Sequence, residues 1–134
     1  MRTAALSGVD VRLMIPYETD TKIVEWASRT YVLATVKAGV KVYLYKAGFN
    51  HSKLLVADDS IATIGSTNVD FRSFENDFEA NAFFYDKKIA LRVKDIFLKD
   101  QEECVALEDV RNLTHRSFLQ RLWESMVRLL SPLL

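Results

Sequence analysis

His51-Ser52-Lys53-Leu54-Leu55-Val56-Ala57-Asp58-Asp59-Ser60-Ile61-Ala62-Thr63-Ile64-Gly65-Ser66-Thr67-Asn68 is the stretch around which the rest of the chain can be organised. Lys53 to Ala57 and Ile61 to Ile64 are short apolar runs, and Asp58-Asp59-Ser60 between them is a turn signal, so the pair predicts a β-hairpin. Residues two apart on a strand share a face, which sets His51 beside Lys53, an imidazole and an ammonium in one pocket. On the returning strand, Gly65 lets the backbone come close to a ligand. Ser66 and Asn68, again two apart, can donate hydrogen bonds. The spaced residues read His-x-Lys-x4-Asp-x6-Gly-Ser-x-Asn. At ordinary residue frequencies they would coincide by chance on the order of once in 10^8 starting points.

This set suits a phosphodiester, which needs a nucleophile, a proton donor for the leaving alcohol, and donors that neutralise the equatorial oxygens. His51 can supply either of the first two, and Lys53, Ser66 and Asn68 are the candidate phosphate-binding residues. Glu79, expected on the next strand, is the candidate to accept a hydrogen bond from the far ring nitrogen of His51, fixing its tautomer and stabilising the imidazolium. Asp58 stays among the catalytic candidates, although its place at the turn favours loop ordering over direct chemistry. No carboxylate cluster suited to a divalent ion accompanies these residues, so neither metal nor cofactor is expected.

Outward from the hairpin, Ala4-Ala5-Leu6 before Gly8 reads as the last turn of a helix with its glycine cap, and the chain opens as if cut from a longer one. Val9 to Ile15 predicts a strand stopped by Pro16. Thr19 and Asp20 then offer caps for a helix running to Ala38 and ended by Gly39. Val40, Val42 and Leu44 alternate with Lys41, Tyr43 and Tyr45 as a second strand, parallel to the first, before a turn at Gly48. Phe78 to Tyr85 predicts a further strand. Asp86 can cap a helix through about Asp100 with Ile89, Val93, Ile96 and Phe97 on its buried face. Ser117 to Leu130 predicts an amphipathic helix before Pro132 and an apolar tail, so 117–134 is set apart as a carboxyl-terminal helix and tail. The expected fold is α/β, a mixed β-sheet with helices on both faces, in one domain spanning 1–134.

The 134 residues carry 18 basic and 18 acidic side chains, for no net charge, with 49% hydrophobic and 11% aromatic residues. That composition excludes intrinsic disorder and a grossly basic nucleic-acid binder. The charge is uneven: Met1 to Ala57 holds eight basic residues against four acidic, and the remainder ten against fourteen. The lone Cys104 cannot form an intrachain disulfide and reads as a small apolar filler. Charged residues interrupt every apolar run, so no stretch approaches the ~18 residues of a spanning helix.

The motif resembles that of the phospholipase D superfamily, whose members carry two histidine-lysine-aspartate (HKD) motifs; this chain has one. The flanking stretches Ala5 to Arg12, Trp26 to Tyr31, Ala38 to Tyr43, Asn68 to Glu75 and Ser131 to Leu134 resemble the bacterial cardiolipin synthase branch. The resemblance implies one lobe of a two-lobed fold. It implies phosphatidyl transfer between two phosphatidylglycerol molecules through a phosphohistidine, giving cardiolipin and glycerol at the cell membrane. It carries His51, Lys53, Ser66, Asn68 and Glu79 over to half of a phosphate site, with the other HKD half and the bacterial membrane surface as partners and no nucleic acid. With half a site, the fragment alone is expected to be soluble and inactive.

Two other functions are weighed. A nuclease of the same superfamily would bring two copies of His51 together in a homodimer, against which the neutral charge counts. A non-catalytic lipid-binding module is the third. Lys37, Lys41 and Lys46 could form an anionic-lipid patch, but scattered lysines favour a solvated face. Leu119, Leu122, Trp123 and Met126 among Arg116, Arg121 and Arg128 suit core packing better than an interfacial helix. His115 reads as structural, and Arg72-Ser73-Phe74 either shapes a headgroup pocket or braces a loop.

Overall fold

The computed structural model describes residues 1–17, 31–48, 50–68, 73 and 76–109. Thr19 and Asp20, Arg72 and Phe74, His115 and the segment Ser117 to Leu130 lie outside the described residues. The chain divides into two compact units, Met1–Phe49 with the chain from Cys104 onward, and Asn50–Glu103. The division follows the two sheets found among the described residues.

In the first unit a short helix, Arg2–Leu6, closes at Ser7 and turns through Gly8 at φ 88°. The amides of Gly8 and Val9 donate to the carbonyls of Ala5 and Ala4 at 2.9 and 3.1 Å, satisfying the last turn as a glycine cap does. Strand β1 (Arg12–Pro16) pairs in parallel with β2 (Lys41–Tyr45), Arg12 opposite Lys41 and Pro16 opposite Tyr45. β1 starts three residues later than the alternation suggested and includes Pro16. The proline is tolerated because it ends an edge strand, and the Tyr17 amide resumes the ladder by donating to the Tyr45 carbonyl at 2.9 Å.

Residues 31–37 are helical, and Gly39 at φ 93° ends that helix as expected. Strand β6 (Cys104–Ala106), absent from the pattern reading, pairs antiparallel with β2 to complete a mixed sheet in the order β1-β2-β6. Val40, Val42 and Leu44 are buried with Leu107, and Leu13, Ile15, Val32 and Val36 pack around them. Each such burial stabilises by about 1.5–3 kcal/mol. Cys104 is half-buried in β6.

At the mouth of β1, Asp10 accepts from the Arg12 guanidinium at 2.8 Å and from Lys41 at 2.9 Å. The Arg12 hydrogen bond, then that of Lys41, holds its carboxyl at about 2. Lys46 lies 4.9 Å from the centre of the Tyr17 ring. Lys37, Lys41 and Lys46 are all exposed, and the last two are engaged within the unit, by Asp10 and by the Tyr17 ring.

The second unit holds the hairpin. β3 (Lys53–Ala57) and β4 (Ile61–Gly65) pair antiparallel from Ala57 opposite Ile61 to Lys53 opposite Gly65. Asp58 and Asp59 both adopt left-handed φ, 51° and 55°, and the Ser60 amide donates to the Ala57 carbonyl at 3.1 Å. Two left-handed central residues are what a hairpin's twist demands, and aspartate tolerates the region better than most side chains. β5 (Asn81–Phe84) pairs antiparallel with β4, Asn81 opposite Gly65.

The long helix Lys87–Glu102 starts at Asp86, whose carboxylate accepts the Ile89 amide at 2.9 Å. Its fully buried Ala90, with Val93, packs on Ala62, Leu54, Val56 and Phe84. Of the expected face, Val93 is buried, whereas Ile89 and Ile96 are exposed and the small Ala90 lets helix and sheet approach.

Candidate active site

His51, Lys53, Ser66, Asn68 and Glu79 all belong to the second unit. The strand alternation expected for them does not hold in detail, since β3 begins at Lys53 and leaves His51 just before it. Asn50 makes that placement: its side-chain oxygen accepts the Ser52 amide at 3.0 Å and the Ser52 hydroxyl, an Asx turn with His51 at its middle. The Lys53 ammonium turns back to donate to the His51 carbonyl at 2.8 Å. The ammonium is therefore tied to the main chain at His51, and both residues sit at the end of the hairpin opposite its tight turn.

Across the sheet, Lys53, Gly65 and Asn81 form one register row, so their side-chain positions share a face. A β-carbon on Gly65 would overlap the Asn81 side chain and the Ala80 carbonyl. The glycine thus admits the neighbouring strand; the expected close approach was that of a ligand. Asn81 also donates its side-chain amide to the Thr67 hydroxyl, tying down the turn between Ser66 and Asn68. Asn68 is exposed in that turn.

Glu79 does not lie on a strand, as expected, but two residues before β5. The ladder stops short because Ser66 takes over: its amide donates to the Ala80 carbonyl at 3.0 Å, while its hydroxyl oxygen accepts the Ala80 amide at 3.0 Å. The same hydroxyl donates to a Glu79 carboxylate oxygen, and the Ala80 carbonyl at 3.5 Å is a weaker alternative acceptor. The Ser66 hydrogen bond first, and then the Ser73 hydroxyl, hold the Glu79 carboxyl below its ordinary range against desolvation, with a lesser contribution from the positive field of Lys53. A carboxyl lowered in this way contributes stability above its ordinary value that is lost as pH falls through the lowered one.

Asp58 is not brought to this group. It lies exposed at the opposite end of the hairpin, a strand's length of roughly 17 Å from Lys53 at ~3.3 Å per residue. Its neighbour Asp59 pairs with Lys94 of the long helix at 2.6 Å. Asn50, Ser73 and Asn81 were not among the expected site residues. Asn50-x-Ser52 is a readable Asx-turn signal and Asn81 faces the motif glycine, whereas Ser73 was read only within Arg72-Ser73-Phe74, as shaping a headgroup pocket or bracing a loop. Among the described residues no three His, Cys, Asp or Glu side chains are grouped to hold a metal ion. No helix among them is long and apolar enough to cross a membrane.

Residues 1–101 match the family model described as cardiolipin synthase, PLD-like domain. The chain is 43% identical over its whole length to a cardiolipin synthase of Clostridium perfringens and 45% identical to the major cardiolipin synthase ClsA of Bacillus subtilis. It spans 28% of the length of each of these curated relatives. Among solved structures, Nuc from Salmonella typhimurium, a phospholipase D family member, shares its fold with a TM-score of 0.65 and 19% identity over 78% of this chain and 68% of that one.

Proposed function

Because the chain belongs to the family of the cardiolipin synthase PLD-like domain, we propose that it supplies one half of a phosphatidyl-transfer site, joining two phosphatidylglycerol molecules through a phosphohistidine. The observation that carries this reading is the gathering of His51, Lys53, Ser66 and Glu79 at one end of a single hairpin, with Asn68 in the adjoining turn. Lys53 is a cation for the phosphate oxygens, and Asn68 offers an amide.

His51 fills one of two complementary roles. As nucleophile, its ring nitrogen forms a bond to phosphorus while the phosphorus–oxygen bond to glycerol breaks. As acid, it gives its proton to that departing oxygen while a histidine of the other half attacks. In the second step the hydroxyl of another phosphatidylglycerol loses its proton to the acid residue, now acting as base, and attacks phosphorus; the nitrogen–phosphorus bond breaks. Cardiolipin and glycerol are the products. The other half, with its own HKD motif, and the bacterial membrane surface are the implied partners.

The test replaces the matching segment of the Bacillus subtilis relative with this chain and follows labelled phosphatidylglycerol. Cardiolipin and glycerol are expected, with turnover reduced on the order of 10³-fold or more by His51→Ala. Unchanged turnover in His51→Ala would overturn the reading. DNA cleavage by the chain alone, dependent on His51, would assign it instead to a homodimeric nuclease.

A further inference from the structure

β4 ends at Gly65, and the turn that follows it, which carries Asn68, is gripped by two successive residues of the neighbouring chain. Ala80 grips Ser66: its carbonyl accepts the Ser66 amide at 3.0 Å, and its amide donates to the Ser66 hydroxyl oxygen at 3.0 Å. Asn81 grips the next residue, its side-chain amide donating to the Thr67 hydroxyl oxygen. The Asn81 side chain also lies across Gly65, its register partner, in the space that a β-carbon there would occupy. Neither Asn81 nor Thr67 is a fixed position of the motif; Thr67 fills its open place between Ser66 and Asn68.

We propose that Asn81 is a positioning residue of the site: through Thr67 it fixes the turn from which Asn68 presents its amide to the phosphate, and the missing side chain of Gly65 leaves Asn81 the room to do so. This rests on the phosphatidyl-transfer reading and adds to it a residue outside the motif. An anchor at Ser66 alone would let the next two residues pivot. The second anchor, immediately before Asn68, removes that freedom on folding, so that less of it has to be given up when a phosphate binds. Asn68 itself is exposed, which makes an anchor in the adjoining backbone the more effective way to aim it.

The chimera with the Bacillus subtilis relative, given labelled phosphatidylglycerol, reads the effect on turnover. Asn81→Ala and Thr67→Val are each expected to lower kcat/KM by about 10-fold to 100-fold, as misplacing a binding group does, whereas Thr67→Ser, which keeps the hydroxyl, stays near the wild-type value. Because Asn81 acts through Asn68, Asn81→Ala is expected to have no further effect in an Asn68→Ala background. A residue that merely holds the fold, or one that touches the phosphate itself, would lower kcat/KM in both backgrounds. That outcome, or an unchanged kcat/KM in folded Asn81→Ala, overturns the proposal. In this chain alone, nitrogen-15 relaxation at the Asn68 backbone amide is expected to give a lower order parameter in Asn81→Ala and Thr67→Val than in the wild type and Thr67→Ser, and an unmoved order parameter also overturns it. Should Asn81→Ala not fold, Thr67→Val must give both results or the proposal falls. A wild-type chimera without turnover would defeat the functional reading alone, and the relaxation measurement would still decide the anchor.

Discussion

Asp58 and Asp59 each hold a left-handed backbone that costs an ordinary L-residue roughly 1–2 kcal/mol, and both do so at the end of the hairpin remote from His51. Asp58 thus serves the turn, and its substitution should separate stability from chemistry. Asp58→Ala is expected to lower the urea midpoint by an amount equivalent to about 1 kcal/mol and to leave kcat of the chimera unchanged, while Asp58→Asn is tolerated in both. A folded Asp58→Ala protein with depressed kcat would return this residue to the chemistry. The motif itself was legible because its spacing is a sequence property. What each member touches was less so. Gly65 was read as room for a ligand and makes room for Asn81 and the Ala80 carbonyl. Ser66 was read as a phosphate donor, and in the structure its hydroxyl donates to Glu79, a partner the spacing did not reveal. Hydrogen-bond direction depends on which segments close on a residue, as the chain before β5 closes on Ser66, and no local pattern encodes that.

At the scale of elements, the hairpin, the parallel β1–β2 pair and the Asp86 cap follow from signals a few residues long: aspartates between apolar runs, strict alternation, and an acceptor before a helix. The errors have equally local causes. β5 is shorter than its apolar run because the Ser66 side chain replaces a main-chain partner at Ala80. β6 spans three residues, too few for alternation to show. The long helix shows its isoleucines to hydropathy, yet Ala90 and Ala62, each at 0% exposure, define the contact. Ala90→Leu is therefore expected to destabilise by about 1–3 kcal/mol in thermal or urea unfolding, since there is no space for the added carbons. Ile96→Lys on the same helix should stay within about 0.5 kcal/mol. The reverse order would show that the helix rotates to bury its isoleucines.

For the molecule as a whole, the two units have separate cores, one built on Val40, Val42, Leu44 and Leu107, the other on Ala62, Ala90 and Val93. Stability need not be uniform across such a chain. Val42→Ala, costing about 2 kcal/mol, should lower hydrogen-exchange protection in β1, β2 and β6 more than in β3, β4 and β5. An equal loss in both would reveal one cooperative unit. This division was hidden in the sequence because it depends on β6 returning to β2 after more than fifty intervening residues. That return has a further consequence. Tyr45 and Cys104 are direct register partners, so the polypeptide departs from the first unit and rejoins it at neighbouring points. A stretch spliced between adjacent positions can change length cheaply, each doubling adding only about 0.6 kcal/mol of closure entropy. The residues from Asn50 to Glu103 thus have the anatomy of a cassette, one that recombination could exchange between relatives, His51 and Lys53 included, without re-registering β1, β2 or β6 of the frame that receives it.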